Sequence, residues 1–216
     1  MPLRLAAACG LLVPVTFVAG LVLGDLVQPE AFSPADDDIS DLGALTATHP
    51  WLYNQVSSNL TGILLLALAL GLWRALGPGT LARLGVATFA VVGLGRFLEG
   101  FLRLDCQGID ASCENTSWHA EAHRVESGIS AAATVLSPLI LAFAFRRLPE
   151  WRRLWIPTLL ALPASIAAGV VFSVLGEGAA TRATSIVWTL WVGLVAYRLL
   201  RVSERDRGPS AAGAAG

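Results

Sequence analysis

Long apolar runs alternate with short polar connections along the whole chain. The first run, Leu5 to Val27, is broken only by glycines, Pro14 and a late Asp25. The second, from about Trp51 to Leu76, is polar where it begins (Asn54, Gln55, Ser57, Ser58, Asn59) and apolar after Gly62. Gly77-Pro78-Gly79 marks a tight turn, and a third run extends from about Thr80 to Leu104. A fourth covers about Trp118 to Phe145, and a fifth about Leu154 to Leu175, with Pro157 and Pro163 as kink points. Gly176 to Arg182 has the character of a brief turn, and a sixth run spans about Ala183 to Leu200. Each reaches the ~20 residues an α-helix needs to cross a hydrocarbon core of about 30 Å. The pattern therefore predicts an all-α fold: a polytopic membrane bundle of six transmembrane helices over residues 1–202. A disordered tail of Arg, Ser, Gly and Ala is expected at 203–216. A cleaved signal peptide competes for the first run, but its apolar core exceeds the usual ~7–15 residues, so it is taken as a true span.

Composition agrees. Of 216 residues, 55% are hydrophobic and 14% charged, against roughly 25% charged in a soluble domain; the mean hydropathy is +0.63. Net charge is only -1, and no basic field is present for nucleic acid, so that partner class is set aside. The charges are sorted by connection. Every one of the 15 basic residues is arginine. Arg4, Arg74, Arg83, Arg146, Arg147, Arg152, Arg153, Arg198, Arg201, Arg205 and Arg207 all fall on one side of the predicted membrane. The other side takes Asp36, Asp37, Asp38 and Asp41, a cysteine-bearing loop and the Glu177 turn. The positive-inside rule then places both termini in the cytoplasm, with a multi-pass protein of the cell membrane as the expected setting and membrane lipids as the expected partners.

Candidate chemistry gathers between Asp105 and Ser130. Cys106 and Cys113 lie on the predicted outer side, where a disulfide is permitted; a metal pair is the rival reading, poorly supported by one pair of cysteines. His119 and His123 are one helical turn apart and project from one face. Glu126, Ser127 and Ser130 continue that stripe, while Glu121 points away. Two neutral imidazoles at this spacing suit a metal, and the same spacing also suits a hydrogen-bonded helix start at the lipid boundary. On the third span, Glu99 has Arg96 three residues before it and Arg103 four after it, close enough for intrahelical pairing. Ionisable groups at such depth are costly and face the bundle interior or a wet cavity. One reading is a self-satisfied Arg–Glu–Arg ladder. The other is a polar cavity in which Glu99 meets the histidine stripe, with Asp105 at the rim. In the first outer loop, Ser40 and Asp41 either cap a short helix or fold over the cavity mouth. His49 is a candidate third imidazole, and zinc the cofactor that such a set would suit. Asn54 and its polar neighbours supply either a binding patch or interhelical hydrogen bonds.

Ile-Ser-Asp-Leu-Gly (Ile39 to Gly43), the asparagine opening the second span (Asn54), Gly62, Asp105 and His119-x-x-x-His123, in that order, resemble the domain-of-unknown-function (DUF) 998 family of six-span bacterial membrane proteins. The resemblance covers about Leu5 to Leu200. It implies an integral membrane protein with no assigned activity. The chain departs from the pattern by a cysteine-bearing insertion before the histidines and by Asp-Cys-Gln in place of a Pro-rich segment.

Two functional expectations result. The first is a non-catalytic membrane protein, or one of unassigned activity, with an outward-facing His/Glu/Asp pocket to which Ser40, Asp41, Asn54, Arg96 and Arg103 contribute binding groups. The second is a metal-dependent hydrolase or transferase acting on a lipid head group. There His119, His123 and His49 would hold the metal, and Glu99, Glu126 or Asp105 would handle protons.

Overall fold

The computed structural model describes residues 1–205; the tail expected to be disordered lies, from 206 onward, outside the described residues. Six helices are long and apolar enough to cross a membrane, and no strand occurs among the described residues. They are α1 (Leu3–Leu26), α2 (Thr61–Ala75, preceded by a π-helical segment, Leu52–Leu60), α3 (Thr80–Glu99), α4 (Trp118–Arg147), α5 (Trp155–Phe172) and α6 (Glu177–Arg205). Each packs against its neighbours in the chain, and α6 returns to pack along α1, closing a ring. This is a multi-pass membrane bundle.

One apolar cluster fills the ring, drawing Val13 from α1, Leu68 and Leu72 from α2, Phe89 from α3, Leu141 and Phe145 from α4, and Trp191 and Val192 from α6. Lipid takes the other faces, where leucine, valine and isoleucine are freely exposed. Close approach of backbones tightens the ring: a Cβ at Gly62 would run into the backbone of Phe97, as small residues permit at membrane helix interfaces. Trp51 and Trp118 stand exposed at one end of the bundle and Trp73 and Tyr197 at the other, the positions of two aromatic belts.

Two element boundaries differ from the hydropathy pattern. The third span ends at Glu99 rather than near Leu104. Gly100 follows, with the Asn59 side chain and the Asn54 carbonyl so close that any Cβ there would collide with both. The sixth helix begins at Glu177, so the expected turn at 176–182 is largely helical. Gly176 makes the turn alone, at φ +139°. Arg182 joins the helix because its charge is neutralised: it pairs with Asp25 of α1 at 2.8 Å and donates to the Asp37 carbonyl.

Candidate functional site

The end of the bundle holding the 27–51 and 100–117 loops carries nearly all the polar chemistry. It is built from helix ends. The π-helical segment opens the second span with Tyr53, Asn54, Ser57, Ser58 and Asn59 all buried. Wider i→i+5 winding is rare and recurs at functional positions. Here it turns a polar run inward. Asn54 Nδ2 donates to the Gly43 carbonyl at 3.1 Å, Ser57 Oγ to Phe17 O at 3.0 Å, and Asn59 Nδ2 to Phe97 O at 2.7 Å. The interhelical role expected of these residues is thus present, and it reaches α1, α3 and the first loop.

Tyr53 is the residue that sequence reasoning missed. Its hydroxyl donates to Glu99 Oε1 at 2.7 Å and accepts from Arg96 Nη1 at 3.2 Å, while Arg96 bridges to Glu99 Oε2 at 2.5 Å. Glu99 is therefore satisfied on both oxygens, one from its own helix and one across the bundle. The expected ladder through Arg103 does not form. With α3 ending at Glu99, the residue four positions on leaves the helical face, and among the described residues Arg103 makes no ion pair. The Asp25–Arg182 bridge also went unread; its signal was a lone acid closing the first apolar run and a lone arginine before the sixth.

The two histidines hold the chain where it leaves α3. His123 Nδ1 lies 2.8 Å from Leu102 O, and His119 Nδ1 lies 2.7 Å from Arg103 O. A carbonyl oxygen only accepts, so Nδ1 carries the proton in both rings. This leaves His123 Nε2 facing Ser127 Oγ at 3.4 Å and His119 Nε2 facing Asp105 Oδ1 at 3.4 Å. Imidazole donors at a helix C-terminus satisfy carbonyls that have no intrahelical partner. At the start of α4 the complement is made: Ser117 caps the helix by accepting from the Ala120 amide. Asp105 Oδ2 accepts from the amides of Thr116 (2.9 Å) and Ser117 (2.8 Å). Hydrogen bonds from the Ser117 hydroxyl and amide, with His119 beside them, hold the Asp105 carboxyl below the ordinary carboxylate range.

The loops are knitted into one cover. Cys106 and Cys113 form a disulfide. Leu45 N donates to Leu104 O, Gln107 Nε2 to Gln28 Oε1, and Gly108 N to Asp41 Oδ2 at 3.0 Å. Asp41 lies in the 3-10 turn Ile39–Gly43 and is buried. Burial pushes its carboxyl up and the Gly108 amide opposes this, while Asp38, Asp37 and Asp110 add to the rise.

Under this cover, Ser40, Tyr53, Asn54, Glu99, Arg103 and His123 line one narrow, closed crevice with no room for a water molecule. Five of the residues singled out in the sequence are thus brought together. Others are not. Asp41 turns to the cysteine loop, Asp105 and His119 sit at the α4 start, and Glu126 faces a separate groove between α3 and α4. His49, exposed and left-handed at φ 50°, makes no ring hydrogen bond among the described residues. No three His, Cys, Asp or Glu side chains among the described residues gather closely enough to hold a metal ion, so the expected trio of histidines does not assemble.

A family model described as "Protein of unknown function (DUF998)" matches residues 11–198, from within α1 to within α6. The chain belongs to the DUF998 family. No curated protein and no solved structure matches it. The matched span takes in the whole DUF998 crevice, from Ser40 to His123. Membership brings no activity, so any function has to come from the site itself.

Proposed function

We propose that this DUF998 protein resides in the cell membrane with both termini in the cytoplasm. Its loop end is then an outward-facing polar pocket that binds rather than catalyses. It recognises the polar part of a membrane lipid, or a small solute, at the outer leaflet. The exposed arginines at the opposite end support the orientation. The observation that carries the non-catalytic reading is the commitment of two of the candidate proton-transfer carboxylates. Glu99 is held on both oxygens, and Asp105 takes two amides. A general base needs a free lone pair aimed at the reacting proton. Arg103, by contrast, sits at the crevice wall with no ion pair among the described residues.

The test is retention of lipid. Full-length protein purified from its membrane and assayed by native mass spectrometry should carry a lipid or solute that Asn54→Ala and Arg103→Gln lose. Equal retention in all three contradicts the reading. Reporter fusions at the 100–117 loop should score as extracytoplasmic.

A metal-dependent hydrolase is the second reading, favoured by one feature. Nδ1–H bonded to a carbonyl is the outer-shell arrangement that orients metal-binding histidines through Nε2, and both His119 and His123 have it. Metal analysis before and after His119→Ala and His123→Ala decides it. A stoichiometric transition metal lost from either variant would establish this reading, and its absence from protein isolated without chelator would remove it.

A further inference from the structure

At the end that carries the termini, the last turns of α6 bring arginines beside those of the connection between α4 and α5. Residues 146–153 and 198–205 together hold seven arginines and two glutamates. The Arg198 guanidinium donates to the Glu150 carbonyl, which sets α6 against that connection. Arg153, Arg201 and Arg205 stand near enough for their charges to act on it. Arg198, Arg201 and Arg205 follow at i, i+3 and i+7 and so share one face of α6.

Elsewhere at this end the arginines are occupied. Arg74 donates to the Met1 carbonyl, and Arg83 and Arg146 lie over the rings of Trp73 and Trp155. Arg153 and Arg198, by contrast, have no carboxylate partner among the described residues. Arg201 pairs with Glu204, but both side chains are largely exposed (56% and 41%), and such a pair contributes little. Arg198 is half-buried, where water and salt screen its pull on an anion less than at the open surface.

An apolar stripe runs into this cluster. Leu190, Leu194 and Tyr197 are exposed. With Arg201 they follow at i, i+4, i+7 and i+11, one line along α6 about 16 Å long at 1.5 Å per residue. A water-soluble anion or an acidic peptide would use the arginines and leave the stripe bare. We infer that this end of α6 binds an acidic phospholipid of the adjoining leaflet, one whose head group carries a phosphate and no cation. The phosphate meets Arg153, Arg198 and Arg205, and an acyl chain lies along Leu194 and Leu190. A choline or ethanolamine head group fits less well, because it would carry its own cation into the arginines. The site lies at the opposite end of the bundle from the crevice under the loops, and neither depends on the other.

Dioleoyl phosphatidylglycerol is the probe, with dioleoyl phosphatidylcholine as the chain-matched control and inorganic phosphate as the chainless one. Native mass spectrometry of the full chain in a neutral maltoside detergent should show a one-to-one phosphatidylglycerol adduct. It should be retained about tenfold over phosphatidylcholine and persist in excess phosphate. Arg153→Gln with Arg198→Gln should weaken it by about tenfold or more. Arg201→Glu with Arg205→Glu, both changes on exposed side chains, should do the same and covers the case in which the first variant fails to fold. Arg103→Gln, at the other end, should leave the adduct unchanged. A wild type that takes neither lipid, or both equally, overturns the inference, as does an adduct that survives both arginine pairs or that free phosphate displaces. Loss of the adduct in Arg103→Gln also overturns it, by moving the lipid to the loop end.

Discussion

At the end of the bundle that carries the termini, the helices meet through apolar side chains. Phe145 stacks on Trp151 with ring centroids 5.1 Å apart, Leu72 and Leu199 are fully buried, and the arginines stay outside, Arg83 lying 3.8 Å over the Trp73 ring. At the loop end the same helices meet through Tyr53, Arg96, Glu99, Asn54, His123 and the Asp25–Arg182 bridge. The two ends differ in how their parts depend on one another. Truncating an apolar side chain at one end costs the area it buried and the cavity it leaves. Removing a polar partner at the other strands a group with nothing to bond, and the penalty falls on the survivor. The apolar end therefore tolerates substitutions that keep volume, and the polar end tolerates only those made in matched pairs.

The largest contrast should come from the Arg96–Glu99 pair. Glu99→Ala leaves Arg96 unpaired inside the bundle and is expected to cost about 3–5 kcal/mol in denaturant unfolding, whereas replacing both residues by leucine and methionine should cost far less. Volume-keeping changes at the apolar end, such as Leu72→Met, should stay below about 1.5 kcal/mol. A large penalty for the double replacement would erase the distinction between the two ends. Next in size is the disulfide: Cys106→Ser with Cys113→Ser should lower stability by about 2–2.5 kcal/mol in the chain-entropy model, with a matching loss on reduction of the wild type. No change on reduction would show that the loops are held by their hydrogen bonds alone.

The smallest effects separate two carboxyls in the cover by sign. Asp105 has a folded pKa held below its ordinary value of 3.8. Its contribution is present above that value and is lost as pH falls through the folded one. Asp41 is pushed above 3.8, so in the window just above that value the native state holds a proton the unfolded chain has released. Stability there falls as pH rises. Melting curves between about pH 2 and 6 should therefore lose their acid limb in Asp105→Asn and their downward slope above 3.8 in Asp41→Asn. Superimposable pH profiles for both variants and wild type would contradict the assignment.

The six spans were legible because apolar length is a one-dimensional property, and the turn glycines and prolines punctuate it. Parts of the site were legible for a similar reason. His119 and His123 share a face by helical spacing, and the cost of an ionisable group in a span singles out Glu99. What sequence could not supply was where regular winding stops. Helix α3 ends at Gly100 because Asn59 and Asn54 press against it, and that took Arg103 off the face on which an i, i+4 pair was expected. The π-helical turn that carries Tyr53 inward has no periodic signature in nine residues of mixed polarity. Asp25 and Arg182 lie 157 positions apart, so their pairing is a product of ring closure and not of any local pattern. His49 looked like a ligand only because histidines are few here.

The most direct test of coupling across helices at the polar end is a double-mutant cycle on Tyr53→Phe and Glu99→Gln, read as unfolding free energy in lipid or mild detergent. The hydrogen bond that joins them at 2.7 Å predicts that the two changes together cost less than their sum by about 0.5–3 kcal/mol. Strict additivity, within about 0.3 kcal/mol, would mean that Glu99 is neutralised by Arg96 alone and that its bond to Tyr53 does not couple the second and third spans.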